Sequence, residues 1–304
     1  MEPEAACDQR AAEQHGVLSR DQALEAGLSA RAIDWRLASG RWRALHTGVY
    51  VPRPVPSSWH QRMMAAVLCG GPNALASHRS ATALRRLDGV EAGMVEISVK
   101  AGRKIDGTIV HRRAPHDDPP VEVVSGIPAT GIERTLLDLA TIVLPKRAGL
   151  ALDDALRRRL TTLEEIRGML LRIRPRAGTR RLRELVEARD ELDEKLESRL
   201  ESELLRLLRE AGLPRPRSQH RVIDGEDFVA RLDFAYPSYR LGIEADGYRW
   251  HGSPERWRRD LRRENRLKLL GWTILRFSWD DVHSRPESVA AQIRTALSSP
   301  VSLS

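Results

Sequence analysis

Three carboxylates and an imidazole fall within a short stretch that otherwise reads as two β-strands. The stretch is RLDFAYPSYRLGIEADGYRWHG, residues 231–252. Asp233 lies in the first strand, Glu244 and Asp246 in the second, and His251 just behind. Pro237-Ser238 supplies the turn. With the turn centred on Ser238 and Tyr239, Leu232 faces Ala245, Phe234 faces Ile243 and Tyr236 faces Leu241, so the apolar residues of both strands share a face. The same register sets Asp233 directly opposite Glu244 on the other face, with Asp246 two residues on. Like charges placed so repel. Three arrangements relieve the repulsion: a protonated carboxylate of raised pKa, a cation between the two, or a solvated face with Arg231 and Arg240 nearby. Mg²⁺ (or Mn²⁺) suits the second, since Mg²⁺ takes oxygen ligands and keeps several waters.

The following helix adds positive charge. Arg256, Arg259, Arg263 and Arg266 recur every three or four residues and form one stripe, widened by Arg258 and Arg262. An acidic pocket beside a basic stripe is what phosphodiester cleavage needs. The arginines would hold flanking phosphates, and a cation would activate water and offset developing charge. His251 is placed to act as general acid or base, or as a phosphate donor.

Several elements must position these groups. KLESRLESELLRLLREAG carries Leu196, Leu200, Leu204 and Leu207 or Leu208 at helical spacing, and Gly212 and Pro214 end that helix. After the two strands, Ser253 can cap a helix with Pro254 as its first residue. A strand, WTILRFSW, and a last helix, PESVAAQIRTAL, follow. These form a unit over residues 191–304.

At the other end, residues 1–55 read as two short helices and a β tail. Ser19 and Gln22 fit a capping box, Gly27 stops the first helix, and Ser29 caps a second that Gly40 ends. RWRALHTGVYVPR follows. The pattern is that of a winged helix-turn-helix, with a plain helical hairpin as the alternative. In the former the second helix enters the major groove of DNA. Arg31 and Arg36 lie on that helix, and Arg41 and Arg43 begin the wing.

Residues 56–190 mix helices with short strands such as MVEISV and GTIVHRR. His78 has no second His, Cys or carboxylate at ligand spacing, so it reads as a capping or packing residue. RIRPRAGTRRLRELVEARDE, rich in charge and holding a Pro and a Gly, predicts a boundary near residue 190. The fold class expected is multidomain α/β: a winged helix-turn-helix, a middle mixed α/β domain with a helical linker, and a C-terminal αβ domain.

The bulk numbers agree with a polyanionic partner. Lys and Arg total 50 against 42 Asp and Glu, giving a net charge of +8, which favours nucleic acid. Two cysteines, Cys7 and Cys69, lack metal-ligand spacing and point to a reducing compartment. No run approaches the apolar length of a membrane span, and the acidic, polar start is unlike a signal peptide. A cytoplasmic protein with no membrane partner is expected.

Two resemblances extend these readings. RLDFAYPSYRLGIEADGYRWHG, then Asp260, Arg263, Leu267, Gly271 and Trp272, then ILRFSW, resembles the endonuclease-like domain of unknown function found beside very-short-patch repair endonucleases. That domain belongs to the restriction-endonuclease-like, PD-(D/E)XK, superfamily. SRLESELLRLLREAGLPRP matches it as well. The resemblance implies Asp233 and Glu244 as metal ligands, Glu201 as an accessory acidic residue and His251 as a catalytic candidate. It also exposes a departure: where the superfamily has E-x-K, this chain has Glu244-Ala245-Asp246. His251, Arg276 or Lys268 are the substitutes available for the lysine. Separately, GVLSRDQALEAGLSARAIDWRLASGRWRALHTGVYV resembles the winged-helix domain of AbiEi-type antitoxins. ASHRSATALRRLDG and GIPATGIERTLLDLA resemble the domain next to it in those antitoxins. That likeness implies a promoter-binding repressor and raises a toxin-type partner or a homodimer. Two functions are therefore expected: a Mg²⁺-dependent DNA endonuclease, or an antitoxin-like regulator whose nuclease-like domain does not cut.

Overall fold

The computed structural model describes residues 2–53, 55–101, 104–114, 116–246 and 254–298, with backbone alone for 254–257. Those residues form two compact units. The first comprises Met1–Thr161 with Gly168–Arg183, and the second Thr162–Arg167 with Glu184–Ser304.

The first unit opens with α1 (Pro3–Glu13), β1 (Leu18–Ser19), α2 (Arg20–Glu25), α3 (Ala30–Ala38), β2 (Arg43–His46) and β3 (Val49–Val51). The capping box forms: Ser19 Oγ accepts from the Gln22 N–H and Gln22 returns the bond to the Ser19 N–H. Ser29 caps α3 through the Ala32 N–H. The three strands make an antiparallel sheet in the order β1-β3-β2. Cys7, Ile33, Trp42 and Tyr50 are buried in the core between helices and sheet.

Next come α4 (Trp59–Gly70), β4 (Leu75–Ala76), α5 (His78–Leu84), β5 (Val95–Val99), β6 (Thr108–Arg112), β7 (Val121–Val124), β8 (Ile127–Thr130), α6 (Ile132–Ile142) and α7 (Pro145–Arg157). Their sheet runs β6-β5-β4-β8-β7, with β5 parallel to β6 and β4 parallel to β8. Met63, Cys69, Ile97 and Ile127 share one core with Val17, Val49 and Val51. The segment expected to end at residue 55 is thus packed continuously onto α4 and the five-stranded sheet. Both cysteines are buried and neither forms a disulfide.

α8 (Leu163–Arg172) precedes α9 (Thr179–Glu210). The boundary expected near residue 190 falls inside α9, which runs 32 residues without a break. Pro175 and Gly178 lie before its first residue, and its dense Glu and Arg content is a solvated helix face rather than a linker.

The second unit continues with β9 (Arg217–Asp224), β10 (Asp227–Tyr236), β11 (Leu241–Asp246), α10 (Pro254–Leu269), β12 (Thr273–Ser278), α11 (Trp279–Ser284) and α12 (Pro286–Ser298). The sheet order is β12-β11-β10-β9, antiparallel except for the parallel β11–β12 pair. The turn register is the expected one: Phe234 pairs Ile243, Ala235 pairs Gly242 and Tyr236 pairs Leu241. Phe234, Tyr236, Leu241, Ile243, Ala245 and Phe277 pack with Leu200, Leu204, Leu207 and Leu208 of α9. Leu204 is fully buried, so truncating it to Ala would cost about 2–5 kcal/mol. Leu232 departs from expectation. It joins Ala235, Val222 and Leu267 in a separate cluster rather than sharing the face of Phe234.

Candidate functional site

The β10–β11 ladder stops at Phe234 and Ile243, one step short of Asp233 and Glu244. The direct Asp233–Glu244 pairing expected from the turn is therefore not what forms. Asp233 Oδ2 instead accepts the Ala245 N–H at 3.0 Å. Beyond the ladder β11 continues beside β12, with Glu244 next to Arg276 in register. The physical reason is the repulsion itself: each carboxylate finds a donor other than its neighbour.

Glu244 is the more heavily partnered of the two. Arg263 of α10 donates to both its oxygens, at 2.8 and 3.0 Å, and Arg276 Nε donates at 3.0 Å. Such a two-bond fork is the strong form of this pair. Burial raises the pKa of Asp233, with nearby Glu244 adding to it against the Ala245 bond. Glu201 of α9 is also raised, first by burial and then by Asp233. It accepts from Gln219 at 3.4 Å. Asp246 is exposed and its charge helps to raise Arg276; burial opposes that rise, but Glu244 outweighs it.

The basic stripe on α10 is largely engaged within the protein. Arg263 holds Glu244, Arg266 meets Asp224 at 3.1 Å and Asp227 at 2.9 Å, and Arg259 lies 3.8 Å from Glu164. An open row of phosphate-binding arginines is thus not what α10 presents. Arg258 and Arg262 are exposed. His251 and Ser253 lie outside the described residues, as does the side chain of Arg256.

On α3 the two arginines part. Arg31 is exposed. Arg36 is folded back, with Glu4 at 3.2 Å and the Ala32 carbonyl at 3.1 Å, away from the outward face. Trp35 takes its place there, half exposed, with the Arg41 guanidinium 4.8 Å from its ring centre. Arg43 is exposed beside it on β2.

His78 has no partner at local spacing, yet the fold supplies two. β5 brings Glu96 and β6 brings His111, and the ligand atoms of the three lie within 4.8 Å of one another. Among the described residues this is the one such group of three His, Cys, Asp or Glu side chains. The signal available in the sequence was Glu96 itself, since a glutamate inside the apolar strand VEISV must be buried and therefore paired.

Several proteins resemble this chain. The family model REase_MTES_1575 matches residues 201–297, the span that holds Glu201, Asp233, Glu244, Arg263 and Arg276. Two Mycobacterium tuberculosis proteins, the uncharacterized protein Rv2248 of strain H37Rv and MT2308 of strain CDC 1551, are each 31% identical over 269 residues. That alignment covers 88% of this chain and 96% of theirs. The type II nicking enzyme V.NmeDIP of Neisseria meningitidis serogroup C is 30% identical over 99 residues, 26% of this chain and 66% of the enzyme. The crystal structure of the M. tuberculosis Rv2827c protein aligns over 61% of this chain and 76% of its own, with 18% identity and a TM-score of 0.38, too slight to define the fold. The chain belongs to the family of Rv2248 and MT2308, and its C-terminal region is a restriction-endonuclease-like domain.

Proposed function

We propose that the protein binds DNA through its first unit and hydrolyses DNA phosphodiester bonds in its second, using a divalent cation of the Mg²⁺ or Mn²⁺ type. The observation that carries this reading is the gathering of Glu201, Asp233, Glu244 and Asp246 from α9, β10 and β11 within the span matched by the restriction-endonuclease-like family. Four carboxylates face two guanidiniums, Arg263 and Arg276, so the cluster carries two negative charges in excess. Burial is the first cause of the raised pKa values of Asp233 and Glu201, and the neighbouring carboxylates add to it. Oxygen donors with that excess fit a hard divalent ion.

Asp233 and Glu244 would hold the cation, with Glu201 supporting it. A bound cation supplies an activated water and neutralises charge developing on phosphate. Arg263 fixes the orientation of Glu244. Arg276, next to Glu244 in the strand register, offers the positive charge that a lysine at position 246 would have given. Lys268 is placed less well, since its ammonium points to Glu264 at 3.6 Å. His251 is assigned to proton transfer or phosphate contact.

In the first unit, α2 and α3 with the β2–β3 hairpin support a winged helix-turn-helix reading, in which α3 enters the major groove. Arg31 on α3 and Arg41 and Arg43 on the wing would contact phosphates, with Trp35 between them.

The test is direct. Purified full-length protein with Mg²⁺ or Mn²⁺ should nick or cut at least one of supercoiled, single-stranded or mismatched DNA. Chelator and Glu244→Gln should each block it. One observation favours a second reading: both Glu244 oxygens are already held by arginines. That arrangement suits an antitoxin-like transcriptional regulator with a non-cleaving domain, acting as a homodimer or beside a toxin-type partner. Duplex binding without cleavage of any of these substrates would select it.

A further inference from the structure

The group His78, Glu96 and His111 lies in the first unit, far along the chain from the carboxylates of the nuclease-like domain. Each residue is delivered by regular structure. Glu96 points from the centre of β5 and is 1% exposed. His111 lies one strand over, in register with Ser98. His78 opens α5 directly after β4, with φ at 52°, a left-handed backbone that costs a residue with a Cβ of order 1–3 kcal/mol. The two imidazoles stack at 3.5 Å between centres and 13° between planes.

The hydrogen bonds leave specific atoms available. Ser77 Oγ lies 2.9 Å from His78 Nδ1, which leaves Nε2 as the free ring nitrogen. Arg79 binds Glu96 Oε1 at 2.9 Å, which leaves Oε2 for His111 Nε2 at 2.9 Å. Beside the group, two residues along β5 and on the same sheet face as Glu96, Ser98 is 1% exposed and its hydroxyl has no protein partner. A buried polar atom of this kind needs an explanation.

We propose that His78, Glu96 and His111 form a binding site for a zinc-class divalent cation, held by His78 Nε2, His111 Nε2 and Glu96 Oε2. Two imidazoles and one carboxylate make a donor set of nitrogen and oxygen that selects Zn²⁺ over Mg²⁺. An ion there would displace the proton that His111 Nε2 shares with Glu96 Oε2; that proton is released to solvent or shifts to His111 Nδ1, leaving Nε2 bare to ligate. Bonds of about 2.0–2.1 Å would set the ligand atoms roughly 3.4 Å apart, so His111 Nε2 and Glu96 Oε2, now 2.9 Å apart, would open slightly while His78, at no more than 4.8 Å, would turn its ring towards them. Arg79 stays on Oε1 and orients the carboxylate from behind. His111, the most accessible of the three with a side chain 25% exposed, marks the entry side.

The experiment loads the full chain with zinc at micromolar concentration, desalts it and measures retained metal, with Mg²⁺ as the parallel arm. Stoichiometric zinc, lost in His111→Gln and kept in Asp233→Asn, is the expected result. No retained zinc in the parent protein, or equal retention in His111→Gln, overturns the proposal. If His111→Gln does not fold, cobalt substitution of the parent protein decides. Visible ligand-field bands without thiolate charge transfer support the site. Absence of the bands, or thiolate bands pointing to Cys7 or Cys69, overturns it.

Discussion

The two polar clusters of this molecule are opposites in construction. The one on β10 and β11 is all oxygen, in excess negative charge, and compensated by arginines of α10 and β12. The one on α5, β5 and β6 is mostly nitrogen, nearly balanced, and largely buried, with His111 at its accessible side. The first fits a hard cation exchanging with water, and the second a borderline cation held for long periods. If both proposed sites bind as argued, donor type rather than affinity alone would separate the two metals.

The largest effect expected concerns turnover. Glu244→Gln removes a ligand charge, and loss of the cation costs several kcal/mol of transition-state stabilisation. Cleavage should fall by about a thousandfold or more, at about 1.4 kcal/mol per decade, in a supercoil-nicking assay. If zinc binding in the first unit fell with it, the two clusters would not be independent.

A smaller loss is expected in DNA affinity. Arg31→Ala with Arg41→Ala should weaken duplex binding roughly tenfold or more, and flatten the dependence of log K on log salt by about 2. Arg36→Ala should leave that slope unchanged, because Arg36 is held on Glu4. A slope that falls with Arg36 and not with Arg31 would reverse the assignment of the two.

Stability distinguishes the arginines around Glu244. Arg263→Ala removes a two-bond partner that is itself largely covered, with side-chain exposures of 28% and 13% across the pair. A cost of about 1–2 kcal/mol is expected in denaturant unfolding, below the value for a fully buried pair because Arg276 remains. No change would mean that Glu244 is already satisfied by Arg276 alone.

The smallest effect is a pH dependence. Asp233 has its folded pKa raised, so its contribution to stability is complete below the ordinary aspartate range, about 3.9, and is lost as pH climbs through the folded value. Asp233→Asn should therefore gain on the parent protein in melting temperature between acid and neutral pH, without divalent metal. Mg²⁺ should raise the parent midpoint and not the variant's. A variant that loses ground as pH rises would mean that folding lowers the Asp233 pKa instead of raising it.

How much of this was legible in the sequence depends on chain separation. The β10–β11 register could be read because turn and apolar residues are contiguous, and Phe234, Ala235 and Tyr236 pair as that pattern requires. The capping of α2 and α3 was legible for the same reason. What Glu244 does was not, because Arg263 and Arg276 reach it from a helix 19 residues on and a parallel strand 32 residues on. That Arg36 of α3 is held by Glu4 of α1 was not legible either, since spacing along one helix says nothing of a partner on another. His78, Glu96 and His111 come from three elements whose neighbourhood depends on the sheet order, and no local spacing announces them. The boundary expected near residue 190 falls inside a helix, yet close to Arg183 and Glu184, where the two units part; a charged, exposed helix and a linker have similar composition.

Both cysteines of the chain lie in the first unit, walled into separate apolar cores, and burial pushes the Cys7 thiol up. Alkylating reagent can reach them only when those cores open. Thiol labelling is therefore a clock for the opening of one unit, silent about the other. Zinc should slow that clock, and magnesium should leave it running at the same rate.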